Sequence, residues 1–397
     1  MDFILSLVSE EQRRLQADVE RLCDGALRDL ERDAGESDTV SRPIVDCLAD
    51  AGLLDWDVPG EYGRRRHPTL SAPLAMSLVS FCLIRETLAR RCHNAELIFT
   101  MQGLGAGPIS FFGSEEQRRR FLPRVASGET IMAFALSEPQ AGSDAAALAT
   151  TATRDGDAYV LNGVKTFISM APDADACCVF AKTDSSAGSR GISCFIVEKG
   201  MAGFDPGPRL ALIAAHPIGQ PTFVDCRVPA ANRIGAENQG FKIAMGSLDF
   251  FRTTVGAAAA GMARRALDES LSYALDRQAF GRPIGEHQAI QLKLAAMATD
   301  LDAARLLVYR AALMRDGGLA PRLTLESAQA KLFATEAAQR IVDSAVQIHG
   351  GAGVVKGAEV ERLYRAVRAL RIYEGTSEVQ HLVIAKQLLD AVRHKSQ

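Results

Sequence analysis

Apolar residues near the start of the chain recur at intervals of three or four positions, which is the spacing of one face of a helix. They are Leu15, Val19, Leu22, Ala26 and Leu30. Residues 9–12, Ser-Glu-Glu-Gln, have the form of a capping box, in which the Ser and Gln side chains satisfy free amides at the start of a helix. Similar helical patterns cover residues 44–51, 76–91 and 115–126. We therefore expect residues 1–127 to form an all-α domain.

The pattern changes near Gly128, where short segments of alternating polarity replace the helical period. These segments are TTATR, YVLNGVKTFIS, ACCVFAKT, GISCFIVEKG and TFVDCRVP. The dipeptides Asp155-Gly156 and Asn162-Gly163 are typical of tight hairpin turns. Because no helical segment separates these strands, an antiparallel sandwich or barrel is favoured over a parallel α/β sheet. We expect residues 128–240 to form a central β domain.

Helical spacing returns after Gly240 and continues towards the end of the chain. Four long helical patterns lie at residues 241–276, 287–315, 323–349 and 377–392. Four such helices in succession predict a four-helix bundle over residues 241–397. The expected fold class is therefore α+β, with an N-terminal α-helical domain, a central antiparallel β domain and a C-terminal four-helix bundle.

The composition limits the possible functions. The chain has 397 residues, of which 47% are hydrophobic and 23% are charged, as is usual for a globular protein with several domains. Its formal net charge of −3 gives no basic field that would attract nucleic acid. We therefore expect no nucleic-acid partner.

The cysteines and the first residues bear on the compartment. Eight cysteines are scattered without the spacing of a zinc site, so we expect reduced thiols and no metal site. The segment MDFILSLVSEEQ lacks the basic start of a signal peptide. Apolar runs also fall short of the roughly 20 residues that span a bilayer. A cytoplasmic location without a membrane span is the expectation.

Several common catalytic motifs are absent from the sequence. There is no GxSxG elbow, HExxH pair or GxxxxGK[ST] loop, so hydrolase, zinc protease and NTPase functions lose their simplest support. The glycine-rich segments 103–107 and 349–353 do not follow a strand of a βαβ unit, as a dinucleotide-binding loop would.

Two loops of the β region have residues suited to a flat cofactor. The segment FALSEPQAGSD, residues 134–144, offers short hydroxyl side chains and backbone amides to a polar ring edge. A plain interdomain turn is the alternative. In the segment TFIS, Phe167 stands beside hydroxyl groups and can stack on a ring, although an isolated phenylalanine is more often part of the core.

A glutamate near the C-terminus has an unusual position. Glu374 precedes a glycine on a turn immediately before a predicted helix. In one interpretation Thr376 or Ser377 caps the helix and Glu374 is a surface charge. In the other, Glu374 projects into a cavity and acts as a general base.

Taken together, these segments resemble the acyl-CoA dehydrogenase family, in order and over nearly the whole chain. The matching motifs are GSEEQ, FLP, FALSEPQAGSD, KTFIS, DCRVP, RQAFG, QIHGGAG and IYEGTSEVQ. The family has an α domain, a central β domain and a C-terminal four-helix bundle, which agrees with the division expected from the pattern alone. The resemblance implies FAD as the cofactor.

The resemblance also implies which residues contact FAD. On the flavin ring and ribityl chain it places Phe134, Leu136, Ser137, Gly142, Ser143, Phe167, Ser169, Thr376 and Glu378. A second set is expected to reach FAD bound mainly to a neighbouring subunit, namely Arg277, Phe280, Gln288, Gln347 and Gly351. A cofactor shared in this way implies a homodimer or homotetramer.

In this family a carboxylate removes the α-proton of an acyl thioester while the flavin accepts the β-hydride, which leaves a 2,3-enoyl thioester. Glu374 matches the position of that base. The thioester carbonyl is expected to accept hydrogen bonds from the Glu374 amide and from a ribityl hydroxyl, which stabilise the developing enolate. An electron-transfer flavoprotein is the expected electron acceptor.

The residues expected around the substrate follow from the same resemblance. They are Leu97, Thr100, Leu104, Ser143, Asp249, Phe250, Phe251, Arg252, Tyr373 and Gly375. Because a phenylalanine ring fills the volume of several methylenes, we expect a short or medium, branched or cyclic acyl group of about four to eight carbons. For Asp249 and Arg252 an ordinary solvated helix pair is an equal alternative.

Some residues depart from the family pattern. Phe251 stands where certain relatives carry the base, so Glu374 keeps that role. Residues 170–172, Met-Ala-Pro, replace polar residues, and His216 occupies a loop of unusual sequence, where it either touches substrate or is merely solvated.

Other functions remain open beside the acyl-CoA dehydrogenase. The motifs do not distinguish an acyl group on CoA from one tethered to a carrier protein. A flavin monooxygenase of the same fold lacks the catalytic glutamate, and a non-enzymatic assembly subunit would have lost the chemistry altogether. The presence of Glu374 argues against the last two.

Overall fold

The computed structural model describes residues 3–63, 76–319 and 322–395. The chain forms two compact units, each assembled from separated segments. The helical unit comprises Met1–Cys23, Leu78–His93 and Asp249–Gln397, and the sheet unit comprises Asp24–Ser77 and Asn94–Leu248.

Helices before and after the central region make up most of the chain. The N-terminal helices are α1 (Phe3–Leu7), α2 (Glu10–Asp24), α3 (Ala26–Ala34), α4 (Arg42–Asp50), α5 (Leu78–Arg91), α6 (His93–Phe112) and α7 (Glu115–Ala126). The C-terminal helices are α8 (Gly240–Asp276), α9 (Gln288–Asp316), α10 (Thr324–His349), α11 (Glu359–Leu370) and α12 (Ser377–Lys395). In the part of the chain that the structure describes, no helix is long and apolar enough to cross a membrane.

The predicted capping box at the start of α2 is confirmed. Ser9 Oγ accepts a hydrogen bond from the Gln12 amide at 3.2 Å, and the Ser9 amide donates to Gln12 Oε1 at 3.0 Å. The four long helices predicted for the C-terminal region are also present, as α8, α9, α10 and α12. Helix α11 is an additional element that the pattern did not predict.

The central strands form one main sheet and small pairs. The strands are β1 (Met132–Ala135), β2 (Thr151–Asp155), β3 (Ala158–Val164), β4 (Ile168–Ser169), β5 (Ala176–Lys182), β6 (Ile192–Glu198), β7 (Phe204–Asp205), β8 (Ile218–Gly219), β9 (Thr222–Pro229), β10 (Arg233–Ile234), β11 (Gln278–Ala279) and β12 (Arg282–Pro283). The main sheet has the order β10-β6-β5-β2-β3-β9-β7, with β1 also paired to β5. Strands β4 and β8 form a separate antiparallel pair.

The α+β class is confirmed, but the sheet is mixed rather than antiparallel. Strand β1 pairs with β5 in parallel, and so does β2. Parallel neighbours need a connection of a dozen or more residues. Residues 136–175 provide one between β1 and β5, and it contains the hairpin of β2 and β3 instead of a helix.

The two predicted hairpin dipeptides have different outcomes. Asp155-Gly156 lies at a hairpin turn, where Asp155 pairs with Ala158 and Gly156 has φ 61°. Asn162-Gly163 is not a turn but an irregularity inside β3, where the register to β9 shifts. A Cβ on Gly163 would lie 2.4 Å from Thr150 Oγ1, so close approach of a neighbouring segment requires this glycine.

Helix α6 contains the glycine-rich segment 103–107, which is therefore not a nucleotide-binding loop. A Cβ on Gly105 would lie 2.6 Å from the Cβ of Met132, so the glycine allows α6 to approach strand β1 closely. All eight cysteines are free thiols, as expected, and all but Cys47 are buried.

Candidate functional site

A buried ion pair anchors the first predicted cofactor loop in the sheet unit. Lys165 Nζ donates to Glu138 Oε1 at 2.7 Å and to the Leu136 carbonyl at 3.1 Å. Glu138 also accepts from the amides of Ala149 and Thr150, at 2.6 and 3.0 Å. Burial opposes ionisation of Glu138, but the Lys165 ammonium and these donors outweigh it and lower the pKa of the carboxyl. The loop that follows β1 is thus fixed on its buried side by charge-assisted hydrogen bonds.

The two predicted cofactor loops of the sheet unit lie side by side. The Thr166 amide donates to the Ser137 carbonyl at 2.9 Å and joins residues 134–143 to residues 166–169. The ring of Phe134 packs against Phe180 at a centroid distance of 4.9 Å. Leu136 is buried, Ser137 is half-buried, and both Gly142 and Ser143 are exposed. The structure therefore brings the residues predicted on these two loops together.

Strained backbone coincides with several predicted site residues. Among the residues that the structure describes, six other than glycine have positive φ, namely Phe167, Met170, Asp225, Asn238, Phe280 and Glu374. Such conformations persist only where the surrounding structure enforces them, and they concentrate at functional sites. Phe167 has φ 55° and is 61% exposed, so it is not the core residue of the alternative interpretation.

Residues 170–172 and His216, which depart from the family pattern, lie next to each other at the strand pair β4–β8. Ser169 Oγ lies 2.7 Å from His216 Nε2, and strands β4 and β8 pair Ser169 with Ile218. The Met170 amide donates to the Pro217 carbonyl at 2.6 Å. His216 is therefore half-buried and bonded to a predicted cofactor contact, rather than a solvated loop histidine.

Glu374 lies in the helical unit, on the turn between α11 and α12. Its φ is 52° and that of Gly375 is 91°, so both residues are left-handed. Thr376 Oγ1 accepts from the Val379 amide at 3.3 Å and caps α12, as one interpretation expected. Both carboxylate oxygens of Glu374 are nevertheless buried, so this residue is not a surface charge.

Three side chains hold the backbone of this turn. Gln380 Nε2 donates to the carbonyls of Glu374 and Gly375, at 3.3 and 3.0 Å. Arg252 Nε donates to the Glu374 carbonyl at 3.4 Å, and Lys331 Nζ donates to the Gly375 carbonyl at 2.8 Å. A Cβ on Gly375 would lie 2.5 Å from Gln380 Nε2, so the turn requires glycine at this position.

Arg252 is buried and Asp249 is half-buried, so they do not form the ordinary solvated helix pair of the alternative interpretation. Arg252 is 6% exposed, and its Nη1 donates to Asp249 Oδ1 at 2.7 Å. Thr324 Oγ1 donates to the other Asp249 oxygen at 3.1 Å. The pair is therefore a fixed polar group that reaches the backbone of Glu374.

The predicted substrate residues are divided between the two units. In the helical unit, Phe250 and Phe251 are fully buried and each meets Phe81 edge to face, at 5.7 and 5.4 Å. Phe250 also lies under the Arg315 guanidinium. Tyr373 is half-buried on the turn itself. In the sheet unit, α6 carries three buried residues of this set, Leu97, Thr100 and Leu104.

The residues expected to reach a neighbouring subunit's cofactor are all exposed on the chain. They are Arg277, Phe280, Gln288, Gln347 and Gly351. Phe280 is 95% exposed and has φ 53°, in the short connection between β11 and β12. Glu378 is exposed in the first turn of α12. A strained aromatic residue that points into solvent is typical of a binding surface.

Four residues that support these loops and the Glu374 turn were not predicted from the sequence. Lys165, Lys331 and Gln380 contact predicted site residues, and Glu138 pairs with Lys165, but none of the four was assigned a role. For Lys331 a signal was available, because it shares one face of α10 with Ala328, Thr335 and Ala338. A lysine on a buried helical face that consists mainly of alanines needs a polar partner.

Comparisons with known proteins agree with the resemblance in the sequence. Models of the N-terminal, middle and C-terminal domains of acyl-CoA dehydrogenase match residues 9–129, 133–226 and 238–389. Together these matches cover most of the chain.

Curated relatives are about equally similar to this chain. A 3-(aryl)acrylate reductase from Clostridium sporogenes is 41% identical and covers 92% of this chain and 96% of the relative. The mitochondrial short-chain specific acyl-CoA dehydrogenase of Sus scrofa is 42% identical, with coverage of 88% and 83%. The caffeyl-CoA reductase-Etf complex subunit CarC of Acetobacterium woodii is 41% identical, with coverage of 89% and 91%.

Solved structures share the whole fold. Butyryl-CoA dehydrogenase from Megasphaera elsdenii has a TM-score of 0.89 at 34% identity, with coverage of 96% of this chain and 99% of that chain. PigA, solved with FAD and proline, has a TM-score of 0.87 at 28% identity, with coverage of 98% and 99%.

The residues of this chain fit an FAD cofactor. The exposed ring of Phe167 and the hydroxyls of Ser137 and Ser143 suit a flat ring with polar edges. A Cβ on Gly142 would meet no atom within 4 Å, which leaves room beside this loop. The chain belongs to the acyl-CoA dehydrogenase family and is an FAD-dependent oxidoreductase.

Proposed function

We propose that this enzyme oxidises the α,β carbon–carbon bond of an acyl thioester, with Glu374 as the base. Glu374 takes the α-proton, and the electron pair of that C–H bond forms the new double bond. The β-hydrogen leaves with its electron pair as a hydride. FAD, when bound, supplies the two-electron acceptor for this hydride. The product is a 2,3-enoyl thioester, with Glu374 protonated.

The observation that carries this proposal is the placement of Glu374. Its carboxylate oxygens are buried, and its left-handed backbone is held through two carbonyl oxygens by Arg252, Gln380 and Lys331. A base that removes a weakly acidic proton must be held in one productive position. A surface glutamate would have no need of this support.

The backbone amide of Glu374 is the proposed donor to the thioester carbonyl. A donor fixed by the fold stabilises the enolate charge that develops as the α-proton leaves, and removing such a donor costs roughly 3 to 4 kcal/mol in other enzymes. The constraints on the Glu374 turn therefore serve two functions, since they position the carboxylate and the amide of the same residue.

The predicted FAD contacts are proposed for the two loops of the sheet unit and for the start of α12. The Lys165–Glu138 ion pair and the Thr166–Ser137 hydrogen bond support this assignment, because they hold the loops in one arrangement. The exposure of Phe280, Arg277, Gln288, Gln347 and Gly351 supports a cofactor shared in a homodimer or homotetramer. The eight free thiols agree with a cytoplasmic location.

The proposed substrate is a short or medium acyl-CoA of about four to eight carbons. Two fully buried phenyl rings, Phe250 and Phe251, occupy volume next to the polar pair on α8. The names of the Sus scrofa and Megasphaera elsdenii proteins, short-chain specific acyl-CoA dehydrogenase and butyryl-CoA dehydrogenase, agree with this size. The proposed electron acceptor is an electron-transfer flavoprotein, which the name of the Acetobacterium woodii relative also mentions.

Two of the curated relatives are named as reductases, so the direction of the reaction is part of the test. Removal and addition of the same two hydrogens use the same base, because the forward and reverse paths share one transition state. Assays with a saturated acyl-CoA and an artificial acceptor, and with an enoyl-CoA and reduced flavin, measure both directions. An acyl group on a carrier protein is the second substrate to compare.

The decisive variant is Glu374→Gln. We expect it to retain FAD absorbance near 450 nm, which is typical of oxidised flavin, and to lose turnover by several powers of ten. Glu116→Gln, at an exposed position on α7, is the matched control and should keep full activity. Turnover of Glu374→Gln close to that of the control would overturn the proposal.

A further inference from the structure

Lys331 is a buried cation in the middle of α10. Its side chain is 0% exposed, and alanines dominate the buried face around it. The buried alanines of this helix are Ala328, Ala330, Ala334, Ala337, Ala338 and Ala345. An ammonium group loses its hydration when it is buried in such surroundings. The fold therefore retains this charge for a reason other than packing.

The ammonium group contacts the turn that carries Glu374. Lys331 Nζ donates to the Gly375 carbonyl at 2.8 Å. Burial lowers the pKa of Lys331 to about 8, and the nearby charge of Arg252 also lowers it. The negative charges of Glu374, Glu336 and Glu378 oppose this shift. The group is thus mainly cationic at neutral pH, and its charge attracts that of the Glu374 carboxylate.

Helix α10 also contacts the residues at both ends of the turn that carries Glu374. One oxygen of Glu336 accepts from Arg371 Nε at 2.8 Å and from Ser377 Oγ at 2.6 Å. These two residues flank the segment that contains Glu374 and Gly375. Lys331 supplies the contact in the middle. One helix therefore fixes the turn at three points along its length.

We propose that Lys331 is a positioning residue for the base, which fixes the Gly375 carbonyl and sets its positive charge beside the Glu374 carboxylate. This inference rests on the proposed role of Glu374. It goes further by assigning a group outside the turn that determines both the position and the charge state of the base. Lys331 does not contact the reacting atoms in this scheme.

Two effects of removing Lys331 follow from this geometry. A left-handed glutamate relaxes when a carbonyl contact is lost, and a displacement of about 1 Å can lower turnover by roughly 100-fold. Loss of a nearby positive charge also favours the protonated form of a carboxylate. The acid limb of the kcat–pH profile should then move to higher pH, which a purely structural role would not cause.

The experiment compares Lys331→Met, Lys331→Arg and Lys331→Gln in the FAD-loaded enzyme, with butyryl-CoA as substrate. Lys386→Met removes an exposed lysine of α12 and is the control for loss of one charge. For Lys331→Met we expect kcat to fall roughly 10- to 100-fold with KM unchanged. FAD content should remain at the level of the control, and the acid limb should shift upward.

The other variants separate charge from hydrogen bonding. Lys331→Arg keeps the charge, so its acid limb should remain at the position of the unmodified enzyme. Lys331→Gln keeps an N–H donor without the charge, so its acid limb should shift as in the Met variant. The Gln variant also provides the charge test if Lys331→Met does not fold.

The outcomes distinguish this inference from the proposed function. If Glu374→Gln is inactive while Lys331→Met and Lys331→Gln have the kcat and pH profile of Lys386→Met, the role of Lys331 is wrong and the base assignment stands. If Glu374→Gln is active, both are wrong. If the Lys331 variants lose FAD or stability but keep the acid limb in place, Lys331 is only structural and the inference fails.

Discussion

The ammonium of Lys165 lies 2.7 Å from the Glu138 carboxylate, with both side chains buried beneath the loop that follows β1. Removing one partner of a buried ion pair leaves the other charge uncompensated, which typically costs about 3 to 5 kcal/mol. We expect Lys165→Met to lower the unfolding free energy by about this amount and to weaken FAD retention. Thermal unfolding and flavin absorbance after gel filtration measure both effects.

A double variant tests the cause of this loss. Lys165→Met combined with Glu138→Leu removes both charges, so it should be more stable than Lys165→Met alone. Lys199→Met, at an exposed position, is the single-charge control. An unfolding free energy of Lys165→Met equal to that of Lys199→Met would show that the pair does not support the loop.

Asp57 provides a prediction on pH-dependent stability. This residue is fully buried in the short helical turn Leu54–Asp57, and neither carboxylate oxygen has a hydrogen-bond partner among the described residues. Burial, and then the negative charge of Asp55, raise the pKa of Asp57 well above its ordinary value of 3.8. Above pH 4, up to the raised pKa, the folded state holds more protons than the unfolded state, so stability falls as the pH rises.

We expect Asp57→Asn to remove this dependence. Its stability relative to the unmodified protein should rise with pH above 4, by up to about 1.4 kcal/mol per pH unit. Urea unfolding at pH 4, 5, 6 and 7 measures the difference, with Asp50→Asn as an exposed control. A difference that stays constant over this range contradicts the raised pKa.

The exposed side chain of Phe280 allows a prediction about FAD retention in the proposed homo-oligomer. Its ring is 95% exposed on a left-handed residue, which a monomer has no reason to retain. We expect Phe280→Ala to lower FAD retention at dilute protein concentration while the far-ultraviolet spectrum stays unchanged. Arg277→Ala should act in the same direction.

Analytical ultracentrifugation with flavin detection is the measurement for these two variants. Phe3→Ala truncates another exposed phenylalanine and serves as the control. A monomeric unmodified enzyme with full FAD occupancy would rule out a cofactor shared between subunits.

The phenyl rings of α8 predict the chain-length preference. Phe250 is held by Phe81 and by the Arg315 guanidinium, whereas Phe251 has the contact to Phe81 without that cation. We expect Phe251→Ala to gain relative kcat/KM on octanoyl-CoA over butyryl-CoA. Each additional buried methylene is worth about 0.8 kcal/mol.

Phe250→Ala is the comparison, because loss of its packing should lower stability by about 3 to 5 kcal/mol without a gain on longer chains. A panel of butyryl-, isobutyryl-, octanoyl- and palmitoyl-CoA gives the ratios. Palmitoyl-CoA as the best substrate of the unmodified enzyme would contradict the expected pocket size.

The sequence predicted elements whose signals are local. The Ser9 capping box and the Asp155-Gly156 turn depend on neighbouring residues, and both are present in the structure. Asn162-Gly163 carries the same kind of signal as Asp155-Gly156, yet it lies inside a strand. At that position Thr150, which lies outside the local segment, approaches so closely that only glycine fits. Tertiary contact therefore overrides a turn signal that is correct elsewhere in the same chain.

The candidate site shows the same difference between local signals and tertiary contacts. The Glu374 turn and the two cofactor loops were assigned through their resemblance to family motifs, in which the matching residues adjoin one another in sequence. Lys331 and Glu138 were not, since their roles depend on contacts with residues 44 and 27 positions away. Motifs of adjacent residues thus indicate candidate chemical groups, whereas the residues that support those groups are identified from contacts in the folded chain.

Four hydrogen bonds from Arg252, Gln380 and Lys331 end on the main-chain oxygens of Glu374 and Gly375. These four hydrogen bonds do not depend on which side chain residue 374 carries, provided that the residue tolerates a positive φ. A substitution at this position therefore leaves these four hydrogen-bond acceptors in place. Asparagine, aspartate or glycine at residue 374 would therefore be placed in the same surroundings as the glutamate. This position is thus a suitable target for the laboratory selection of variants with new chemistry.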